Sequence, residues 1–219
     1  MKKRKDVCVC IFLTVCIAVG AYTYDNITDG PPPAIFNPVQ IDNSPTPADC
    51  VVHVSAWNGN KRTYGYGVVV THEGETFVLT SAMIFTEDYE VVTVDTMDTS
   101  QEVEMKYKSE VVGLVALTGV KGLPAFDTNA DPTIPPDVEV MVGTRLAMTA
   151  ERLNDYWIVL DRELPRDSAG MPVNHFGSLV GVVVGLCSDN TQAIMCGNVG
   201  LTWFCDKVNE LEEGDDAAE

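Results

Sequence analysis

The chain is short of histidine and of positive charge. Its 219 residues include three histidines, His53, His72 and His175, so a mechanism that needs an imidazole base has only three places to find one. Fourteen basic residues against thirty-two acidic ones give a net charge of −18 and a pI near 4.3. That is the wrong sign for a surface that neutralises phosphates, which argues against nucleic acid as a partner. Sustained helical periodicity is also scarce, which speaks against a helical bundle. What is abundant is apolar: 46% of residues are hydrophobic and the mean hydropathy is +0.06, enough for a packed core and against disorder as the main state.

The few basic residues are concentrated at the start. Lys2, Lys3, Arg4 and Lys5 precede an uncharged stretch from Val7 to Tyr24, and this order reads as a targeting segment. Residues 1–24 are expected to be a cleaved signal peptide or a single-span membrane anchor, with the folded domain on the non-cytoplasmic side. Ala18 and Gly20 supply small residues for cleavage before Ala21. Loss of residues 1–20 would remove four basic side chains and Asp6, making the remainder three charge units more acidic. Residues 25–49 carry Pro31, Pro32, Pro33, Pro38, Pro45 and Pro47 and read as an extended linker. Asn26-Ile27-Thr28 matches a glycosylation acceptor, relevant in a eukaryotic host.

Seven cysteines divide into three in the apolar segment (Cys8, Cys10, Cys16) and four beyond it: Cys50, Cys187, Cys196 and Cys205. A Cys187–Cys196 bridge across a hairpin and four free, partly buried thiols are both compatible with the spacing. No metal set is expected. Asp127-Thr-Asn129-Ala-Asp131 opens like a calcium loop, but Pro132 stands where the glycine belongs and Val138 where the bidentate glutamate belongs, so an ordinary acidic loop is expected.

After Cys50 come short β-type runs: Val51–Trp57, Tyr64–Thr71, Glu75–Thr80, Val91–Asp95, Glu102–Lys108, Val111–Thr118, Val138–Met148, Tyr156–Leu160, Met171–Asn174, Leu179–Leu186 and Val199–Phe204. Asn58-Gly59 and Glu73-Gly74 mark turns between them. The pattern predicts an all-β sandwich or a pair of barrels. A short closing helix is expected from Asp206, with Val208 and Leu211 on its apolar side.

Three segments, in order, resemble trypsin-like serine proteases, nearest the bacterial Deg/Htr-type branch. Gly65-Tyr-Gly-Val-Val-Val70 and Phe77-Val-Leu-Thr-Ser-Ala-Met83-Ile84 resemble the family's GSGVII and VLTNAHVV, with Met83 in the place of the catalytic histidine. Gly113-Leu-Val-Ala-Leu117 resembles the DLALL strand, with Gly113 in the place of the orienting aspartate. Pro165-Arg-Asp-Ser168-Ala-Gly-Met-Pro-Val-Asn174, then Gly177 and Val180-Gly-Val182, resembles PGNSGGPLVN followed by a VIGI-like strand. Ser168 falls on the nucleophile position. Gly122-Leu-Pro124 and Val142-Gly143 match a KGLP segment and a VGD turn, and Gly200-Leu-Thr-Trp-Phe204 resembles the GFAIP strand before the closing helix.

The resemblance implies a fold of two packed antiparallel β-barrels over residues 50–213, followed by an acidic tail at 214–219. It also implies the loss of catalytic groups. A thioether has no titratable nitrogen to accept a proton, and the aspartate that would orient a histidine is missing with it. Arg166 and Asp167 occupy the oxyanion-hole positions, where Arg166 replaces a glycine whose backbone freedom the hole uses. No histidine compensates. His175 is carried away from Ser168 by a strand, His72 lies at the far end of the Phe77–Thr80 strand from Met83, and His53 is on an outer face.

The expected function is therefore a catalytically inactive protease homologue, exported or membrane-tethered, that binds peptides or proteins and favours cationic partners, without a cofactor. An active endopeptidase using Ser168 with a non-standard base and a structural surface or envelope subunit are the alternatives.

Overall fold

A computed structural model describes residues 49–128, 134, 136–187 and 192–216. The targeting segment of residues 1–24, the linker up to residue 48, the glycosylation acceptor, most of the acidic loop and the last three residues lie outside the described residues. Among the described residues no helix is long and apolar enough to cross a membrane.

Strands β1 (Val51–Asn58), β2 (Lys61–His72), β3 (Glu75–Ser81), β4 (Val91–Asp95), β5 (Ser100–Ser109) and β6 (Leu114–Thr118) pair in the order β1-β4-β5-β6-β3-β2, and β2 returns to β1 to close a first barrel. A two-residue strand, β7 (Phe126–Asp127), adds to β2 in parallel. β8 (Glu139–Val142), β9 (Arg145–Arg152), β10 (Trp157–Leu160), β11 (Pro172–His175), β12 (Ser178–Leu186) and β13 (Ala193–Gly197) form a second closed barrel, ordered β10-β13-β12-β11-β8-β9. Helix α1 (Asn198–Asp216) follows without a break.

The turns arise where the residues demand them. Asn58-Gly59 joins β1 to β2, and Glu73-Gly74, both at positive φ (50° and 95°), makes the tight β2–β3 hairpin, the geometry that matches strand twist. In β2 and β3 the stretches Gly67–Val70 and Phe77–Ser81 are buried throughout. Along β1, by contrast, exposed His53 lies between buried Val52 and Val54, as expected of a strand with one wet face.

Three expectations need correction, and of the two cysteine readings one falls away. Val138–Met148 is not one strand but two, because Gly143 at φ 58° turns the chain between Val142 and Arg145. Val111–Thr118 starts as a turn, and its strand begins only at Leu114. Val199–Phe204 is helical: Leu201, Phe204, Cys205 and Val208 are the buried positions, and their spacing of three, one and three residues is that of a helix stripe. The strand before it is Ala193–Gly197, so Gly200–Phe204, the stretch that resembles GFAIP, lies in the helix rather than in a strand. Finally, all four described cysteines are free. Cys196 pairs with Val182, five residues along β12 from Cys187, which at about 3.3 Å per residue puts a bridge out of reach.

The apolar stripe of α1 packs into a core cluster that joins the strands of the first barrel to Leu179, Val182 and Val184 of β12 and Cys196 of β13, with Phe204 5.2 Å from Tyr107 of β5. A polar node fastens the same contact. His72, only 5% exposed, lies with Nδ1 2.8 Å from Thr128 Oγ1 and Nε2 3.1 Å from Asp206 Oδ1. A carboxylate only accepts, so Nε2–H donates to Asp206, and the Thr128 hydroxyl also reaches the Thr71 carbonyl at 3.3 Å.

Candidate functional site

The two barrels meet along β3, β12 and the segment leading into β11. Ser81 ends β3 and is fully buried. Its hydroxyl donates to the Val184 carbonyl at 2.7 Å and accepts the Met83 N–H at 3.1 Å, capping a 3₁₀ turn over Ala82–Phe85. One oxygen thus fixes both the approach of β12 and the exit angle of the chain that carries Met83. The sequence reading passed over Ser81, although a serine two residues before Met83 is a legible capping signal.

Met83 stands 51% exposed at the start of the cleft. A Cβ on Gly185 of β12 would lie 2.8 Å from its sulfur, so the thioether rests on bare backbone. Gly113, expected in the aspartate position, is close by. Its carbonyl accepts the Ala82 N–H at 2.9 Å, and its own N–H donates to Ser109 at 2.9 Å. It sits at φ 74°, where a Cβ would come within 3.1 Å of the Val184 side chain. Met83 and Gly113 line one cavity of about 490 Å³, together with Lys108, Trp157, Val184 and Gly185. Trp157 Nε1 is sealed there without a hydrogen-bond partner.

A second cavity of about 280 Å³ lies between Met83, Leu164, Pro165, Ala169, Val183 and Leu186. Beside it runs the end of β12. β11 pairs with β12 only as far as Val182, while β13 covers the other edge to Leu186. Val183 is held by Gly170 and Met171 through N–H···O bonds of 2.8 and 2.9 Å. Beyond it, β12 has no strand partner on the cleft side among the described residues.

Ser168 lies in the same segment but opens elsewhere. It closes a 3₁₀ turn over Arg166–Ser168, in which its N–H donates to the Pro165 carbonyl at 2.9 Å. The Ser168 N–H is thereby spent inside the turn that Arg166 and Asp167, the expected oxyanion-hole positions, form with it. The side chain, 4% exposed, lines a third cavity of about 220 Å³ with Tyr66, Arg145 and Asp167. It lines neither cavity that Met83 lines. The structure therefore brings Met83 and Gly113 together and places Ala169 in a cavity with Met83, while Ser168 lines a different cavity that shares Leu164 and Pro165 with it.

The segment cannot shift easily. Ala169 accepts the Tyr66 N–H at 2.8 Å, and Thr80 donates its hydroxyl to the Tyr66 carbonyl at 2.6 Å. Gly170 sits at φ 84° directly above, where a Cβ would come 1.7 Å from the Tyr66 oxygen. None of the histidines lines these cavities: His53 stacks on Tyr66 at 4.7 Å, His72 is in the helix node, and His175 Nδ1 donates to the Glu139 carbonyl at 2.6 Å. Among the described residues no cluster of three or more His, Cys, Asp or Glu could hold a metal ion.

The thiols are quiet. Burial, aided by the Asp49 carboxylate, pushes Cys50 up to about 11. Burial, aided by Asp206, pushes Cys205 up to about 12. Cys196 is raised further by burial and the neighbouring Cys205.

Solved structures share this architecture. The serine endoprotease of Yersinia pestis matches with a TM-score of 0.63 at 18% identity over 74% of this chain, and the chain spans only 64% of that structure's length. The active form of the Rv3671c protease of M. tuberculosis matches with a TM-score of 0.62 at 18% identity, covering 74% of this chain and 82% of that one. An inactive serine-to-alanine variant of Rv3671c matches with a TM-score of 0.59 at 18% identity, covering 75% and 88%. No protein-family model matches the chain, and neither does any curated protein. At this identity the likeness establishes the fold: two β-barrels and a closing helix, as in trypsin-like serine proteases.

Proposed function

We propose that this chain is a catalytically inactive protease-fold protein whose cleft binds an extended peptide or protein segment. One observation carries the reading. Ser168 and Met83, at the positions of nucleophile and base, line different cavities, and the Ser168 N–H is bound within its own turn. Hydrolysis by this architecture needs a hydroxyl, a proton acceptor and oxyanion donors facing one carbon. Here a thioether stands in the place of the acceptor, a glycine against Val184 in the place of its orienting carboxylate, and the serine lines a cavity that the thioether does not.

What remains of the cleft suits binding. The end of β12 offers an unpaired edge, and apolar cavities flank it at Met83, Leu164, Val183 and Leu186. Strand addition takes its affinity from such an edge and its selectivity from alternate side-chain pockets. The excess of acidic residues favours cationic partners and a salt-sensitive association. Residues 1–24 would place this domain, tethered or released, on the non-cytoplasmic side.

The decisive test is covalent. A fluorophosphonate probe should leave Ser168 unlabelled, and peptide libraries should emerge uncut. Labelling at Ser168 together with cleavage abolished by Ser168→Ala would overturn the reading in favour of an endopeptidase. Met83→His alone should restore no hydrolysis.

A further inference from the structure

The cavity that holds Ser168 has a chemistry of its own. It lies beneath the β8–β9 hairpin, whose turn residues Thr144 and Arg145 form one wall and Ser168 another. The sealed, unpartnered polar atoms among the described residues are Trp157 Nε1 and Asn209 Oδ1. The Ser168 hydroxyl also has no hydrogen-bond partner among the described residues, so it opens on the cavity. Arg145, at the exposed rim of the cavity, has a side chain with no ion pair or hydrogen bond among the described residues, whereas Arg62, Arg152 and Arg162 all have partners. In a protein with fourteen basic residues against thirty-two acidic ones, a guanidinium without a counter-charge beside a hydroxyl that opens on the same cavity can receive an anion.

We propose that this cavity binds a short aliphatic carboxylate, with Arg145 as its counter-charge and Ser168 as a hydrogen-bond donor. A planar guanidinium matches a carboxylate through paired N–H donors. Leu164 and Met171 supply apolar wall for an aliphatic tail, and about 220 Å³ limits that tail to a few carbons. Asp167, the one acidic residue in the lining, sets the selectivity. It repels any anion, and a doubly charged phosphate roughly twice as strongly as a monocarboxylate. The site therefore takes a single negative charge and is weakened, but not abolished, by its own aspartate. Its polar side chains, Arg145, Ser168 and Asp167, line no cavity that Met83 lines, although Leu164 borders both sites, and it does not rest on peptide binding at β12.

The test is an NMR titration of the full chain with isovalerate, using isovaleramide as a neutral isostere and inorganic phosphate as a second anion, all at matched ionic strength. Isovalerate should give saturable shifts at the amides of Thr144, Arg145 and Ser168, with isovaleramide giving none and phosphate weaker ones. Arg145→Gln should weaken isovalerate binding at least tenfold, Ser168→Ala severalfold, and Asp167→Asn should tighten it severalfold. The same spectra report whether each variant is folded. Equal shifts with isovaleramide, tighter binding of phosphate, or an Arg145→Gln affinity equal to that of the parent would overturn the proposal. Because the probes need neither the β12 edge nor a peptide, failure here leaves the peptide-binding reading to its own test.

Discussion

The seam between the barrels and the cleft beside it are built from adjacent residues, yet they are constrained very differently. In the seam, Gly170 lies against Tyr66, Thr80 is bonded to the same carbonyl, and Ser81 bridges to Val184. Every group there is committed to a partner. In the cleft, one step along the chain, Met83 is half exposed, Gly113 presents no side chain and Ser168 lines a separate cavity. The seam's geometry is what folding requires; the cleft's side chains are what a reaction requires. The first set can survive complete when the second is gone, because no barrel contact depends on a histidine at 83.

The sharpest way to break this contrast is Gly170→Ala. The seam position should not tolerate it, since the new methyl would overlap a backbone oxygen at a left-handed φ. A loss of about 4 kcal/mol or outright failure to fold is expected in chemical denaturation. Next comes Ser81→Ala, which strands the Met83 N–H and the Val184 carbonyl. It should cost about 1–3 kcal/mol by the same measurement. If both variants were as stable as the parent, the seam would hold no privileged role.

Restoring the cleft should have a smaller effect on stability and none on chemistry. Met83→His combined with Gly113→Asp should show no amidase activity above buffer. The aspartate should cost about 1–2 kcal/mol, because φ 74° disfavours a side chain and Val184 crowds it. Measurable turnover would show that the reacting groups had been closer to competence than their cavities indicate.

The smallest effect concerns the thiols that flank both regions. Cys50, Cys196 and Cys205 have folded-state values raised by burial above the ordinary thiol value of 9.0. Their contribution to stability is complete below that value and lost as pH climbs toward about 11 and 12. Denaturation midpoints should therefore decline progressively above pH 9. In native alkylation followed by peptide mapping, Cys187, the half-buried one, should react well ahead of these three.

How much of this was legible depended on what fixes each element. The first barrel was readable almost strand by strand, because alternation and the Asn58-Gly59 and Glu73-Gly74 turns are local signals. The stretch 199–204 misled because a run of Val, Leu, Trp and Phe looks like a strand until its burial is followed to Val208, where the helical period emerges. Ala193–Gly197 carried too few β-branched residues to register as a strand. Met83 and Gly113 could be placed in one cleft from motif order alone. The separation of Ser168 from Met83 could not: the turn closed by the Ser168 N–H on Pro165 is a choice of backbone geometry that residue types do not announce. Arg145 went unnoticed for a related reason, since only the fold brings a hairpin turn over Ser168.

The placement of α1 has a consequence for how the molecule comes into being. Leu201, Phe204, Cys205 and Val208 share a core cluster with strands of the first barrel as well as with β12 and β13, although a whole second barrel separates them from the first in the chain. A ribosome delivering the chain from its N-terminus would release the strands of the first barrel with part of their interior still missing. That barrel can be completed only when nearly the last turn of helix has emerged. Folding is thus expected to follow synthesis rather than accompany it, and chains cut short before residue 200 should aggregate through the open core rather than persist as a half-size protein.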